Sequence, residues 1–142
     1  MQNNIRWLSV ILICLVLSGC NIIPVKRTLT PHLYGKVIDA GSGKPIEGVE
    51  IYFKEFPDKL VLTRQDGIFD LPEVEIAYSV GLFPARRVPL PPPGGNLVVH
   101  AEQYQSCEIH LIGGLAEKVK GCNFSYITDF APIIQIELNR SQ

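Results

Sequence analysis

Alternation of apolar and polar residues along short segments most constrains the fold of this chain. In the segment Val49–Lys54 every second residue is apolar, namely Val49, Ile51 and Phe53. A period of two places these side chains on one face of a β-strand, with polar neighbours on the other face. Twelve glycines and eleven prolines in 142 residues supply the turns that many short strands require. The pattern predicts an all-β protein.

The remaining strand candidates are short and separated by turn formers. In full, the predicted strands cover residues 33–38, 49–54, 60–64, 68–71, 74–83, 97–102, 107–112 and 133–138. Asp66-Gly67 supplies the positive φ angles of a tight hairpin between two of them. No segment joins a helical period to capping residues, although residues 114–120 have room for a helical turn. The spacing predicts a seven- to eight-stranded antiparallel β-sandwich.

The amino terminus has the features of an export signal. Met1–Arg6 is short and polar, and Trp7–Leu17 is an apolar run interrupted only by Ser9. This run is too short to span a membrane, which takes about 20 apolar residues, and is typical of a signal peptide. The tetrapeptide that follows, Leu17-Ser18-Gly19-Cys20, resembles the lipobox of bacterial lipoproteins.

This resemblance implies cleavage before Cys20 and attachment of diacylglycerol and palmitate-type acyl chains to that residue. One acyl chain binds a membrane reversibly, whereas several chains make a stable anchor. We therefore expect a signal peptide over 1–19, a lipidated tether over 20–31 and a single domain over 32–142. Asn21, in place of the Asp common in inner-membrane lipoproteins, implies an outer-membrane lipid anchor with the domain in the periplasm. An ordinary signal peptide followed by a chance cysteine is the alternative.

Two cysteines remain for the exported domain. Cys14 lies in the signal peptide and Cys20 is the lipid attachment site, which leaves Cys107 and Cys122. An even pair in an oxidising compartment predicts a disulfide. The pair has no histidine or further cysteine at ligand spacing, so a zinc site is not predicted.

Three segments resemble the carboxypeptidase regulatory-like domain, a transthyretin-like (prealbumin-like) Greek-key sandwich. They are Gly35–Asp39, Gly43–Val49 and Thr63–Leu71, and residues 97–104 resemble a later strand, with Gln103 where the family usually has glycine. The resemblance implies that Pro45 fixes a turn, that Gly48 relieves crowding and that Phe69 fills the space between the sheets. The family is a structural module, so it implies a fold rather than an activity.

A proline-rich segment over residues 84–96 is longer than a hairpin needs, and its prolines cannot donate to a β-ladder. We interpret it as an exposed loop that could dock an envelope protein, since loops on a rigid scaffold often carry function. A purely structural crossover is the alternative. The candidate docking residues are Arg86, Arg87, Pro89, Pro91, Pro92 and Pro93. The other long connection covers residues 113–130.

Other chemistry has little support. Thirteen basic and fourteen acidic side chains argue against a nucleic-acid-binding surface. If Val99 faced Ile109, His100 and His110 would share an outer face with carboxylates, but no motif fixes that register and no metal is predicted. The motifs of serine hydrolases, zinc proteases and phosphate-binding loops are missing from the sequence, so neither an enzyme nor a cofactor is predicted.

The sequence therefore favours a non-catalytic envelope lipoprotein whose domain serves protein–protein interaction or a structural, accessory role in an envelope assembly. Its expected partners are the membrane, through the lipid, and an unidentified envelope protein. A lipoprotein that binds a small ligand or glycan is the alternative. The loss of Trp7 with the signal peptide weighs against glycans, which often stack on tryptophan.

Overall fold

The computed structural model describes residues 23–80, 92–127 and 133–141, and within these ranges all regular structure is β. Eleven strands occur there. They are β1 (Ile23–Thr28), β2 (Leu33–Asp39), β3 (Glu50–Phe53), β4 (Phe56–Leu62), β5 (Ile68–Leu71), β6 (Glu75–Val80), β7 (Gly94–His100), β8 (Cys107–Ile112), β9 (Leu115–Lys120), β10 (Cys122–Tyr126) and β11 (Ile133–Leu138). The prediction of an all-β protein is confirmed.

The chain divides into two compact units. One comprises Met1–Arg27 and Ala77–Leu90, and the other comprises Thr28–Ile76 and Pro91–Gln142. Strands β1 and β6 form a two-stranded sheet. The second unit contains a four-stranded sheet in the order β10-β11-β2-β5 and a five-stranded sheet in the order β4-β3-β7-β8-β9.

The two larger sheets share one apolar core. Alternate residues of β2, β11, β3, β7 and β8 are buried, as the two-residue period predicts. The core includes Leu33, Val37, Ile51, Phe53, Phe69, Leu71, Leu97, Val99, Ile109, Leu111, Ile134, Ile136 and Leu138. Two sheets with one common core are consistent with a β-sandwich.

Phe69 packs over a glycine on the neighbouring strand. Gly35 of β2 pairs with Phe69 of β5, and a Cβ at position 35 would lie 2.9 Å from the Phe69 ring. It would also lie 2.5 Å from Ile134, so only glycine leaves room for the ring and for β11. The expected position of Phe69 in the core is therefore confirmed.

Gly48 has a different role from the expected relief of crowding. A Cβ there would meet nothing within 4 Å, but its φ is +73°, a conformation that side chains disfavour.

The Asp66-Gly67 turn does not join two strands of one sheet, so the predicted hairpin is wrong. The turn is tight, since Arg64 and Ile68 are hydrogen-bonded across it. Strand β4, however, lies at the edge of the five-stranded sheet, whereas β5 lies at the edge of the four-stranded sheet. The turn residues fix the local reversal, but burial of Phe69 and Leu71 decides which sheet β5 joins.

The strand count and pairing also differ from expectation. Residues 23–28, within the expected tether, form β1, and residues 115–120, considered for a helical turn, form β9. β9 and β10 lie at sheet edges and are mostly exposed. The apolar residues of β9 do not alternate, whereas Cys122, Phe124 and Tyr126 of β10 do alternate with polar residues, so β10 carried a signal that the strand prediction did not use. The sheets are not purely antiparallel, because β11 runs parallel to β2.

Truncation of Phe69 tests the core assignment. Phe69→Ala should lower the free energy of unfolding by about 3–5 kcal/mol, because it leaves a cavity between the sheets. Tyr52→Ala, at a half-buried position of β3, should cost about 1 kcal/mol. Urea unfolding of both variants measures the difference, and equal losses would contradict the assigned faces.

Candidate functional site

The predicted site residues fall into two groups. Cys20, Arg86, Arg87, Pro89 and Pro91 lie outside the described residues, so lipid attachment and docking by the loop stay predictions. Pro92, Pro93, Cys107 and Cys122 are described, and the structure places each of them in the second unit.

Hydrogen bonds fix the residues at the carboxyl-terminal end of the proline-rich segment, Pro93–Asn96. Gly113 donates its amide to the Pro93 carbonyl at 2.7 Å, and Gly94 donates to the Leu29 carbonyl at 2.9 Å. Asn96 donates its side-chain amide to Glu55 at 2.8 Å. Residues 94–96 belong to β7 rather than to the loop, so the expected loop boundary was too long by three residues at this end.

Cys107 and Cys122 form the predicted disulfide, with their Cα atoms 5.3 Å apart. Cys107 lies in β8 of the five-stranded sheet, and Cys122 lies in β10 of the four-stranded sheet. The bond therefore joins edge strand β10 of one sheet to β8, the strand next to the edge of the other sheet. Gly121 lies between β9 and β10 and has a φ of +78°. A side chain at this position would collide with the Ser106 carbonyl.

A buried carboxylate organises one end of the second unit. Asp39, at the end of β2, is 4 % exposed and accepts hydrogen bonds on both oxygens. Oδ1 accepts from the amides of Gly41 at 3.0 Å and Ser42 at 2.7 Å, and from the Ser42 hydroxyl at 3.0 Å. Oδ2 accepts from the Tyr104 hydroxyl and from Arg140 Nε, both at 2.9 Å. The carboxylate thus joins three segments that are distant in sequence.

These contacts keep Asp39 ionised. The hydrogen bond from Arg140 is the largest cause that holds the pKa of Asp39 far below its usual value, followed by the Ser42 amide and the Tyr104 hydroxyl. Burial, and then the bond to Asp39, raise the pKa of the Tyr104 hydroxyl. Asp39 and Arg140 form a charge pair with one buried and one exposed member, since the Arg140 side chain is 72 % exposed.

A cleft of about 610 Å³ opens beside this cluster, lined by Asp39, Gly41, Ser42, Gln105, Asn139 and Arg140. Because the charge of Asp39 is matched by Arg140, the cleft offers hydrogen-bonding groups rather than a strong field of either sign. Its lining contains no Phe, Tyr or Trp side chain, and the same is true of the clefts beside His100 and beside His110. None of these three clefts provides the stacking surface that the glycan alternative calls for.

Sequence reasoning missed this cluster, although one signal for it was present. Asp39 begins a run of turn formers, and aspartate in that position often binds the amides two or three residues ahead. Tyr104 and Arg140 carry no such local signal, because they lie 65 and 101 residues further along the chain.

The two strand histidines are not neighbours. Leu97 rather than Val99 pairs with Ile109, so the register considered was wrong by two residues. A shift of two residues keeps the same faces, so both histidines lie on the outer face, but Asn96 is the residue opposite His110. His110 instead contacts the Asn96 side chain at 2.9 Å and lies 3.8 Å from Glu117. Among the described residues, no group of three or more His, Cys, Asp or Glu side chains is placed to hold a metal ion.

Gln103 has the backbone conformation that glycine favours. Its φ is +69°, and every other residue with positive φ in the described ranges is glycine. The family that segments of the sequence resemble usually has glycine at the corresponding position.

Comparison of the chain with known protein families, curated proteins and solved structures finds no match. Within residues 23–80, 92–127 and 133–141, no helix has the length and apolar character needed to cross a membrane.

Removal of the disulfide should destabilise the second unit. Replacing Cys107 and Cys122 together by alanine avoids a buried hydroxyl at position 107, which is fully buried. The closed loop spans 15 residues, so the expected loss in unfolding free energy is about 2–4 kcal/mol. Urea unfolding with and without reductant measures it, and a reductant effect on the double variant would point to a cause other than this bond.

The Asp39 cluster predicts a dependence of stability on pH. Asp39→Asn keeps the side-chain shape but removes the charge that Arg140 and the amides stabilise, so it should unfold more readily than wild type at neutral pH. The folded pKa of Asp39 lies below the value in the unfolded chain, about 3.9. Its stabilisation is therefore present above about pH 4 and is lost as the pH falls further.

Urea unfolding at neutral pH and at about pH 3 tests this expectation. The difference in unfolding free energy between wild type and Asp39→Asn should become smaller at about pH 3. Asp70→Asn is the matched control, since among the described residues its side chain pairs with exposed His32 alone, and both side chains are 56 % exposed. A gap for Asp39→Asn that does not change with pH would contradict the role of its charge.

Proposed function

We propose that this chain is a bacterial lipoprotein, anchored in the outer membrane through Cys20, whose domain is a non-catalytic interaction module in the periplasm. The domain is a Greek-key, transthyretin-like sandwich of the carboxypeptidase regulatory-like type. Its role is to bind an envelope protein and to hold it near the membrane.

The disulfide between the sheets carries the export part of this proposal. Disulfides persist in oxidising compartments and are rare in the cytosol. The bond joins β8 to β10 and therefore stabilises the contact of the two sheets themselves. A stable disulfide of this kind fits a chain whose first 20 residues resemble a lipoprotein signal ending in Cys20.

Further observations support the proposal that the domain is an interaction module of this type. Gln103 adopts a left-handed conformation where the family has glycine, and Phe69 occupies the core as the family pattern implies. The base of the proline-rich segment is fixed by Pro93, Gly94 and Asn96, which gives the segment a rigid attachment to the second unit. Proline loses little backbone entropy on binding, which suits such a segment to docking.

Substitution of the anchor residue tests the membrane part. Cys20→Ser should leave uncleaved precursor or a soluble form, because acylation precedes cleavage in lipoproteins. Fractionation of cells that express wild type or Cys20→Ser measures the outcome. A Cys20→Ser protein that is still cleaved and still fractionates with the outer membrane would contradict lipid anchoring.

Replacement of the proline-rich segment tests the interaction part. Residues 86–91 exchanged for glycine and serine at equal length should abolish capture of an envelope protein after cross-linking in cells. Pro92 and Pro93 are kept, since the Pro93 carbonyl accepts the Gly113 amide. The thermal melt should stay unchanged.

A second variant, Gln105→Ala, probes the cleft beside Asp39 and serves as the control. Capture lost only by the segment variant assigns docking to that segment. Capture lost only by Gln105→Ala would move the docking site to the cleft and contradict the assignment to residues 86–91.

A further inference from the structure

The second unit has two ends of different character. We call them the Pro31 end, formed by residues 29–31, 92–94 and 112–115, and the Asp39 end, formed by residues 39–44, 101–106 and 139–140. The groups of the Pro31 end lie together, since Gly94 binds the Leu29 carbonyl and Gly113 binds the Pro93 carbonyl. Strand β2 runs from one end to the other, and its seven residues span about 20 Å.

Exposed apolar side chains surround the hairpin between β8 and β9 at the Pro31 end. Leu115 is 68 % exposed and pairs with Ile112, which is 41 % exposed. The Tyr126 hydroxyl accepts the Ala116 amide at 2.8 Å and so lies against the same hairpin, followed by exposed Ile127. We call Ile112, Leu115, Tyr126 and Ile127 the apolar tip.

The apolar tip differs from the Asp39 end in what it offers a partner. The cleft at the Asp39 end is lined by polar groups such as Ser42, Gln105 and Arg140. The apolar tip offers two isoleucines, a leucine and a tyrosine whose hydroxyl already has partners. Aliphatic and tyrosine side chains together are typical of surfaces that enter the boundary between lipid headgroups and acyl chains.

The point at which the chain enters the second unit indicates which end follows the anchor in sequence. From Cys20 to Leu29 there are nine residues, which span at most about 30 Å when fully extended. Leu29 belongs to the Pro31 end, because its carbonyl accepts the Gly94 amide there. The chain therefore reaches the second unit from the anchor at the end that carries the apolar tip.

From this combination we infer that the apolar tip rests in the lipid surface, and that the Asp39 end points away from it into the periplasm. The inference rests on the proposed lipid anchor and adds an orientation to it. The anchor holds the tip at the bilayer, and burial of Leu115 and Ile112 in the interface then fixes the direction of the unit. The cleft beside Asp39 is thereby presented to soluble partners.

Tryptophan fluorescence tests this orientation directly. The only tryptophan in the sequence is Trp7, which is removed with the proposed signal peptide, so one introduced tryptophan reports alone. Full-length Leu115→Trp and Leu62→Trp are expressed, purified from membranes and checked for acylation of Cys20 by intact mass. They are then reconstituted into phosphatidylethanolamine–phosphatidylglycerol vesicles with and without brominated acyl chains.

Leu62 provides a matched control. It is also an exposed leucine, at 55 %, but it lies on edge strand β4 and pairs with Glu50, the neighbour of His100 near the Asp39 end. We expect a blue-shifted emission that brominated lipid quenches for Leu115→Trp, and an unshifted, unquenched emission for Leu62→Trp. Ile112→Trp should behave as Leu115→Trp does and covers the case in which Leu115→Trp folds poorly.

The remaining outcomes separate the two proposals. If the protein is acylated but brominated lipid does not quench the tryptophan at position 115, or quenches it no more than the tryptophan at position 62, the proposed orientation is wrong and the proposed anchor stands. A blue shift without quenching assigns the tip to a protein contact, such as a second copy of the chain, and also overturns it. Protein without acyl groups on Cys20 overturns the proposed anchor, and the orientation with it.

Discussion

Burial of one face of each larger sheet against the other is the constraint on which the second unit depends. Neither the four-stranded nor the five-stranded sheet can hide its apolar side chains alone. The shared core forces β5 to one sheet and β4 to the other, although a tight turn joins them. The disulfide from Cys107 to Cys122 then holds the sheets together at the edge where β9 and β10 meet.

The same constraint explains which elements the sequence predicts well. The predicted strands over 107–112 and 133–138 match β8 and β11 to the residue, because half of each strand is buried and the alternation is clear. Edge strand β9 was missed because its mostly exposed positions leave no periodic signal. Edge strand β10 does alternate, but it is only five residues long and was included in the long connection over residues 113–130. The parallel pairing of β11 with β2 has no local signal either, because Tyr34 finds its partner Ile133 near the other end of the sequence.

Of the two clusters described at the candidate site, the sequence predicts the disulfide but not the hydrogen-bonded cluster around Asp39. The Cys107–Cys122 bond follows from counting the cysteines that the expected export of the chain leaves unassigned, and the structure bears the bond out. The Asp39 cluster does not follow from any single segment, since its carboxylate is satisfied by groups that only tertiary structure brings together. A buried ionised carboxylate with several donors fixes the geometry of its neighbours, and here it shapes the cleft at the end of β2.

The fold and the proposed anchor together distinguish the two ends of the second unit. The end that receives the chain carries apolar side chains, and the far end carries a polar cleft with a fixed charge pair. The proline-rich segment joins the second unit at the Pro31 end and would meet partners close to the bilayer.

The most direct test of the account is mass spectrometry of the protein taken from cells without reduction and with free thiols alkylated. We expect a chain that begins at Cys20, carries acyl groups on that residue and has Cys107 linked to Cys122. A chain that retains Trp7, or one in which Cys107 and Cys122 are both alkylated, would contradict it.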